Sequence, residues 1–179
     1  MSHRFKFTTP TDHMEGAWHG AYCEVYEKLF SGMKDKATNV CELGCDGAGF
    51  TLSLCDYFPN SKVHTFDISP EPDGIKGNPR IIHRQWDAYT NQTIKRLEGM
   101  QCDAIFEDGP HHLDSQIFFV ENYPQFLTPW GIAIVEDIQD RENIEKLAKV
   151  LPPEFFSAGI DIRHEDERYD SLLMAIWRR

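Results

Sequence analysis

Residues 39–49 have the sequence NVCELGCDGAG, an apolar run that passes into a glycine-rich turn. The run 39–43 predicts a buried β-strand, and the apolar stretch 50–58 after the turn predicts a helix. Glycines between a strand and a helix let the backbone approach a ligand closely, and the start of the helix offers free N–H donors. The spacing is GxxGxG, not the GxGxxG of dinucleotide-binding proteins. The turn is therefore either a ligand site or only a tight strand-to-helix connection.

Outward from this turn, predicted strands and helices alternate along the chain. Apolar patterning predicts four more strands, at 61–68, 80–85, 102–106 and 131–135. It predicts further helices at 22–30, 90–98, 113–127 (interrupted near Pro124) and 141–150. Two last strands, at 156–163 and 171–178, are joined by a charged loop with no helix between them.

Strands that alternate with helices favour right-handed crossovers and a parallel sheet covered on both faces. We therefore predict an α/β fold: a Rossmann-like, doubly wound, mostly parallel seven-stranded sheet that ends in a C-terminal antiparallel hairpin. At 179 residues, we expect a single domain over 1–179, with residues 1–20 as a lead-in segment that contributes to the site.

Composition narrows the class of protein further. The 18 basic and 29 acidic residues leave a net charge of −11, which repels phosphate backbones and disfavours a nucleic-acid partner. The five cysteines share no CxxC spacing, so we expect reduced thiols rather than a disulfide framework or a zinc site. No segment predicts a signal peptide or a membrane span. We expect a soluble, cytoplasmic protein without a membrane partner.

Acidic residues mark the carboxyl ends of the predicted strands, where open α/β sheets bind their ligands. They are Glu42, Asp67, Asp87, Asp108, Glu136 and Asp137. A carboxylate at the position of Asp67 can accept hydrogen bonds from both hydroxyls of a ribose. Trp86 and Asp87 could offer a ring face and an acceptor to an adenine, or could be a core residue and a helix cap.

A second acidic group follows the fourth and fifth strands. Asp108, in the segment EDGPHH, and the pair Glu136–Asp137 come at neighbouring strand ends, where their charges would repel one another unless a cation or protons neutralised them. Oxygen ligands in this number suit Mg²⁺. The alternative is that these carboxylates cap the following helices and face water. His111 lies about one turn beyond Asp108, and an imidazole there could take a proton from a hydroxyl.

The segments ELGCDGAG (42–49) and HTFDIS (64–69), with the acidic end of the third strand, resemble the cofactor site of class I S-adenosylmethionine-dependent methyltransferases. Asp46 stands where that family has its middle glycine. The resemblance implies that S-adenosylmethionine is the cofactor. It implies that the residues near this cofactor are Glu42, Gly44, Gly49, Asp67, Trp86, Asp87 and Asp108.

A narrower resemblance involves EDGPHHLDSQ (107–116), LTPWGIAIVEDI (127–138) and the opening TDHMEGAWHGAYCEVYEKLF (11–30). These segments resemble metal-dependent sugar O-methyltransferases of macrolide biosynthesis and related proteins labelled cephalosporin hydroxylase. The resemblance implies that Mg²⁺ is held by Asp108, Glu136 and Asp137, that His111 is the base, and that Asp12, His19 and Tyr22 lie near cofactor or substrate. His13 and Glu107 replace a Lys and an Asp of that pattern, so no role is carried over to them.

These observations predict an enzyme that transfers a methyl group from S-adenosylmethionine, with the help of Mg²⁺, to a hydroxyl of a small molecule such as a sugar. One alternative is a nicotinamide-dependent oxidoreductase, which the glycine spacing disfavours. Another is a domain that binds or hydrolyses S-adenosylmethionine without methyl transfer. The identity of the acceptor, the choice between Mg²⁺ and Mn²⁺, and homo-oligomer formation are left open.

Overall fold

The computed structural model describes residues 18–166 and 169–179 of the chain. Its strands are β1 (Asn39–Leu43), β2 (Lys62–Asp67), β3 (Ile81–Gln85), β4 (Cys102–Glu107), β5 (Leu127–Val135), β6 (Phe155–Asp161) and β7 (Leu172–Arg178). Its α-helices are α1 (Trp18–Phe30), α2 (Gly49–Tyr57), α3 (Asn91–Arg96), α4 (Leu113–Asn122), α5 (Arg141–Val150) and α6 (Arg163–Asp166). Short 3₁₀ helices span Asp73–Ile75 and Pro124–Phe126.

All seven strands form one sheet in the order β3-β2-β1-β4-β5-β7-β6. Strands β1 to β5 pair in parallel, whereas β7 lies antiparallel between β5 and β6. This confirms the predicted mostly parallel sheet with a C-terminal antiparallel hairpin. The register places Leu43 opposite Glu107 and Glu107 opposite Val135, so the ends of β1, β4 and β5 lie side by side.

Apolar side chains cover both faces of the sheet and form two core clusters, one with α1 and α2 and the other with α4 and α5. In α1, a stripe of aromatic residues at intervals of four, Tyr22, Tyr26 and Phe30, faces the sheet and is buried. Tyr26 and Phe30 both pack on Phe106 of the central strand β4, with ring centroids 5.6 and 5.2 Å apart. This packing fixes α1 across the sheet near the carboxyl ends of its strands.

Two element predictions are wrong in detail. The predicted helix 113–127 ends at Asn122, because the residue before Pro124 is disfavoured in a continuing helix, and β5 already begins at Leu127. The connection between β6 and β7, predicted to contain no helix, includes the four-residue α6.

Some sequence expectations fall outside the described residues. They concern Asp12, His13 and most of the lead-in segment 1–20, together with the side chain of His19. In the parts of the chain that are described, no helix is both long enough and apolar enough to cross a bilayer.

Candidate functional site

The glycine-rich turn between β1 and α2 touches the end of β4. Gly44 has a φ of +83°, and a Cβ atom there would collide with the backbone carbonyl of Asp108. The backbone N–H of Asp108 in turn donates to the carbonyl of Leu43 at 2.9 Å. Only glycine fits position 44, because the backbone is left-handed and there is no room for a side chain. The turn after β1 and the loop after β4 are therefore in direct backbone contact.

Two residues of the turn other than glycine also have left-handed backbones, Asp46 with φ 34° and Ala48 with φ 65°. Glycine adopts this conformation most easily. Position 46 is where the resembling family has glycine, and the backbone shows why. Gly49, which the sequence predicts as a cofactor contact, is instead the first residue of α2 and is buried. Its contact with a cofactor stays a prediction.

A cleft of about 680 Å³ opens beside this turn at the carboxyl ends of the strands. Five of the predicted cofactor residues line it, namely Gly44, Asp67, Trp86, Asp87 and Asp108. The apolar part of its wall comes mainly from Phe66, Ile68, Ala88, Pro110 and Phe118. Glu42 and Gly49 lie behind the turn and do not line the cleft.

Asp67 at the end of β2 ties the glycine-rich turn to the sheet. Its Oδ2 accepts the backbone N–H of Cys45 at 2.9 Å, and its Oδ1 accepts that of Ser69 at 2.7 Å. Burial alone would raise the pKa of Asp67, but these backbone donors lower it below its ordinary value. The carboxylate therefore remains ionised and ready to accept further hydrogen bonds inside the cleft.

Glu42 lies in the interior behind the turn. It is fully buried, and Thr51 of α2 donates its hydroxyl to Oε2. Burial raises the pKa of Glu42 to about 8, although the Thr51 hydrogen bond opposes the shift. Its other oxygen is buried without a hydrogen-bond partner in the described chain. Glu42 thus connects β1 to α2 through a buried hydrogen bond and supports the glycine-rich turn from the interior.

Trp86 and Asp87 form the wall of the cleft beyond β3. The Trp86 ring stacks on Phe66 with ring centroids 6.0 Å apart. Asp87 Oδ1 accepts the backbone N–H of Tyr89, and its carbonyl accepts the hydroxyl of Thr93 in α3. Asp87 is not the helix cap that the sequence offered as an alternative, because the N-cap of α3 is Thr90. Trp86 and Asp87 both line the cleft, and their contact with an adenine stays a prediction.

Asp108, which lines the cleft, forms a group of three with His111 and Asp137, which do not line it. One ligand atom of each lies within 4.8 Å of the other two. His111 Nε2 is 4.0 Å from Asp108 Oδ1 and 3.9 Å from Asp137 Oδ2. His111 and Asp137 have left-handed backbones, with φ 55° and 49°. Such backbones cost free energy in residues other than glycine and persist where the surrounding structure enforces them, commonly at functional sites.

Glu136, predicted as a third metal ligand, lies outside this group of three. Its side chain is buried against the Tyr26 hydroxyl, and its Oε1 has no hydrogen-bond partner among the described residues. Burial, together with the charges of Asp137 and Glu42, raises the pKa of Glu136. Since its charge also raises the pKa of Asp108, the two carboxylates interact. Its role as a ligand stays a prediction.

Two tyrosines of α1 face the acidic pair after β5. Tyr22, which the sequence resemblance places near cofactor or substrate, donates its hydroxyl to Asp137 Oδ1 at 2.6 Å. Tyr26, one turn later, lies against Glu136. Sequence reasoning missed Tyr26, although its spacing of four residues from Tyr22 places both on one helix face.

Glu107 accepts a hydrogen bond from Tyr89, a cleft residue that sequence reasoning missed. The Tyr89 hydroxyl donates to Glu107 Oε1 at 2.5 Å, and burial raises the pKa of Glu107 to about 7. A Cβ atom on Gly109 would collide with the Tyr89 hydroxyl.

His112 has a different place from its neighbour His111. Its backbone carbonyl accepts hydrogen bonds from Ser115 and Gln116 at the start of α4.

The residues present fit a divalent cation. Burial and mutual repulsion raise the pKa of both Asp108 and Glu136, which means that the protein brings negative charge together at a free-energy cost. A buried carboxylate oxygen of Glu136 and the buried Nδ1 of His111 lack partners within the described chain. Carboxylate oxygens in this arrangement are ligands suited to Mg²⁺.

Solved structures with the same fold include several methyltransferases. MycE methyltransferase from the mycinamycin biosynthetic pathway, solved with Mg, SAH and mycinamycin VI, has a TM-score of 0.68 at 16% sequence identity, over 88% of this chain and 48% of that chain. SAH-bound Podospora anserina methyltransferase PaMTH1 has a TM-score of 0.66 at 15% identity, over 94% and 81%. Methanococcus jannaschii fibrillarin, a pre-rRNA processing protein, has a TM-score of 0.64 at 16% identity, over 80% and 67%.

No protein-family model matches the sequence, and no curated protein sequence does. The chain spans about half the length of the MycE structures. The likeness is one of fold, and it agrees with the strand order and the antiparallel hairpin described above. The chain therefore has the Rossmann-like fold of class I methyltransferases.

Proposed function

We propose that the protein transfers a methyl group from S-adenosylmethionine to a hydroxyl of a small molecule, with the assistance of Mg²⁺. The observation that carries this proposal is the position of Asp108. It lines the cleft that contains the predicted cofactor residues, and it also belongs to the group with His111 and Asp137. A donor bound in the cleft and an acceptor bound at that group would therefore meet at Asp108.

In this proposal the cleft holds the adenosyl part of the donor. Asp67 is ionised, lines the cleft and can accept from ribose hydroxyls. Trp86 offers a ring face, and Asp87 offers an acceptor beside it. S-adenosylmethionine supplies an activated methyl group on a positively charged sulfur.

In this proposal the group of three, Asp108, His111 and Asp137, positions the acceptor and removes the proton of its hydroxyl. Asp108 and Asp137 would hold Mg²⁺, with Glu136 as the third predicted ligand, and the metal would lower the pKa of an acceptor hydroxyl. Tyr22 restrains Asp137 through its hydrogen bond. Because Nδ1 of His111 is buried, Nε2 is the ring atom that faces Asp108 and Asp137 and can take the proton.

We propose that the methyl group is transferred in a single displacement step. S-adenosylmethionine held in the cleft would supply the methyl group: the acceptor oxygen would form a bond to the methyl carbon while the carbon–sulfur bond breaks and its electron pair stays on sulfur, which leaves SAH. The hydroxyl proton passes to His111 Nε2. Apart from this proton transfer, the protein has mainly to align donor and acceptor, which can supply several kcal/mol.

A sugar hydroxyl is our first candidate acceptor, on two grounds. The segments that resemble macrolide-sugar methyltransferases include the residues of the acidic group. MycE, which shares the fold, was solved with mycinamycin VI. The net charge of −11 disfavours an RNA acceptor of the kind that a pre-rRNA processing protein would meet.

Titration calorimetry with S-adenosylhomocysteine (SAH), S-adenosylmethionine and NAD tests the choice of cofactor. We expect saturable binding of the first two and none of NAD, and we expect Asp67→Ala to weaken it. Binding of NAD alone would favour the oxidoreductase alternative. Binding of S-adenosylmethionine with release of SAH and no methylated product, even with a broad set of hydroxylated sugars, would favour the hydrolysing alternative.

A further inference from the structure

A second groove, of about 440 Å³, lies on the face of the sheet that α3 covers. It is bounded by the start of β1, by β2 and β3, and by the connection from α3 to β4. The polar side chains that line it are Asn39, His64, Arg84, Arg96, Glu98 and Gln101. It is distinct from the proposed donor cleft, although Trp86 connects the two. This ring lines the cleft, and both arginines of the groove lie over it, with guanidinium carbons 5.5 and 4.7 Å from its centroid.

The two arginines differ from the other arginines of the described chain. Each of the others donates to carbonyl or carboxylate oxygens, as Arg80, Arg163 and Arg178 do. The side chain of Arg96 makes no hydrogen bond to the described residues, and the side chain of Arg84 makes a single one, to His64. Neither forms an ion pair with a carboxylate there, in a chain with an excess of acidic residues. Most of their ten N–H donors are therefore available to a ligand.

His64 explains how Arg84 is held in place without being neutralised. Arg84 always donates, so its Nη1 contact of 3.0 Å makes His64 Nδ1 an acceptor. The His64 proton is then on Nε2, which donates to Asn39 Oδ1 at 3.2 Å. His64 is 8% exposed and is neutral in this arrangement. A buried neutral partner orients the guanidinium while leaving its full positive charge facing the groove.

Two guanidinium groups on one aromatic ring repel each other unless an anion lies between them. We propose that this groove binds the phosphate group of a small soluble molecule. Guanidinium forks match phosphate oxygens in geometry and charge. The volume exceeds that of a phosphate alone, so the rest of the molecule would lie along the connection from α3 to β4. The acidic character of the whole chain disfavours a polyanion such as nucleic acid here.

Titration calorimetry with inorganic phosphate, against KCl at equal ionic strength, tests the proposal. We expect one saturable site, at least tenfold weaker in Arg96→Gln. Lys95→Gln is the matched control, because it removes the same charge from the neighbouring exposed position of α3, which does not line the groove. It should change affinity less than twofold. Glu98→Gln, which removes a negative charge from the groove, should tighten binding.

Two results would show that the groove is not a phosphate site, and a third would change the source of the phosphate. One is the absence of saturable phosphate binding beyond the KCl control in the wild-type protein. The other is an equal loss in Arg96→Gln and Lys95→Gln, which would show only diffuse attraction. Vesicles of phosphatidic acid distinguish a lipid source. Failure to co-sediment with them supports a soluble phosphate, whereas co-sedimentation that Arg96→Gln abolishes would reassign the groove to a lipid headgroup.

Discussion

At the scale of single residues, the site combines ligand groups with structural ones. Asp67 accepts two backbone N–H groups and also faces the cleft, so the carboxylate that would bind ribose also maintains the turn. His111 and Asp137 have left-handed backbones, and their side chains approach each other to 3.9 Å between Nε2 and Oδ2. The chemistry that we propose depends on a few side chains whose orientation is fixed by backbone contacts.

Asp67→Ala should weaken SAH binding at least tenfold, or about 1.4 kcal/mol, because charge-assisted hydrogen bonds to the ribose are lost. Calorimetry measures this directly. Asp73→Ala, which removes an exposed carboxylate from the next connection, is the control and should leave the affinity unchanged. Thermal melts of both variants show whether the turn itself has loosened. Unaltered SAH affinity in Asp67→Ala would contradict the assignment.

His111→Ala should lower methyl-transfer turnover by about 10²–10⁴-fold while SAH binding stays nearly intact, because the proton acceptor is lost and the donor cleft is not. His112→Ala is the matched control and should do much less, since His112 serves α4 through its backbone carbonyl. Rates are measured on whichever hydroxyl acceptor the wild-type protein methylates. A larger loss in His112→Ala would mean that the sequence motif is aligned one residue out.

At the scale of elements, the site is built where three parallel strands end. The turn after β1 lies against the loop after β4, and the backbone N–H of Glu136 donates to the carbonyl of Glu107, which joins the ends of β5 and β4. Helix α1 crosses this edge and reaches the acidic pair through Tyr22 and Tyr26. Each of these elements contributes side chains to a site that none of them contains alone.

The close approach of two turns makes position 44 intolerant of any side chain. Gly44→Ala should destabilise the protein by about 3 kcal/mol, because it adds a clash with the Asp108 carbonyl to an unfavourable left-handed backbone. Gly47→Ala is the matched control, since a Cβ atom at position 47 would meet no atom of another segment within 4 Å, and it should be neutral or slightly stabilising. Chemical denaturation compares the two. Equal stability of both variants would contradict the described contact between the turns.

Binding of a cation at the strand ends should stabilise the fold by mass action. At ten times its Kd, Mg²⁺ should add about 1.4 kcal/mol, which corresponds to roughly 3–6 °C in the melting temperature of a chain of this size. Asp137→Asn should largely abolish the gain, and Asp56→Asn, at an exposed position of α2, should retain it. A melting temperature that does not respond to Mg²⁺ or Mn²⁺ would contradict the cation site. The alternative that these carboxylates cap the following helices is wrong, because the N-caps of α4 and α5 are His112 and Asp140.

At the scale of the whole molecule, stability should depend on pH through His64. Burial, with the charges of Arg84 and Lys62, lowers the pKa of His64 to about 4. As the pH falls below about 6.5, His64 becomes protonated in the unfolded chain but stays neutral in the folded chain. The free energy of unfolding therefore decreases as the pH falls from about 6.5 to 4. His64 should account for about 2 kcal/mol of loss at pH 5 relative to pH 7.5. Denaturation of wild type and His64→Gln at both pH values measures this contribution as a difference, and equal losses in the two proteins would contradict it.

Patterning along the chain was sufficient to predict the strand ends and the acidic residues that follow them, because both depend on local apolar runs. It was not sufficient where contacts between distant segments decide the outcome. Tyr26 enters the site by packing on β4 and contacting Glu136, and Tyr89 enters it through its hydrogen bond to Glu107 of β4. The orientation of Glu136 in turn depends on α1. The end of α4 and the short α6 depend on local backbone restraints that apolar periodicity does not reveal.

The central claim is that the donor cleft and a metal site meet at Asp108, and a crystal structure of the protein soaked with SAH and Mn²⁺ tests it most directly. Anomalous scattering from Mn²⁺ locates the ion independently of the protein atoms. We predict the adenosyl group in the cleft with its ribose on Asp67, and Mn²⁺ bound to Asp108 and Asp137. An ion bound away from Asp108, or SAH bound outside this cleft, would contradict the account.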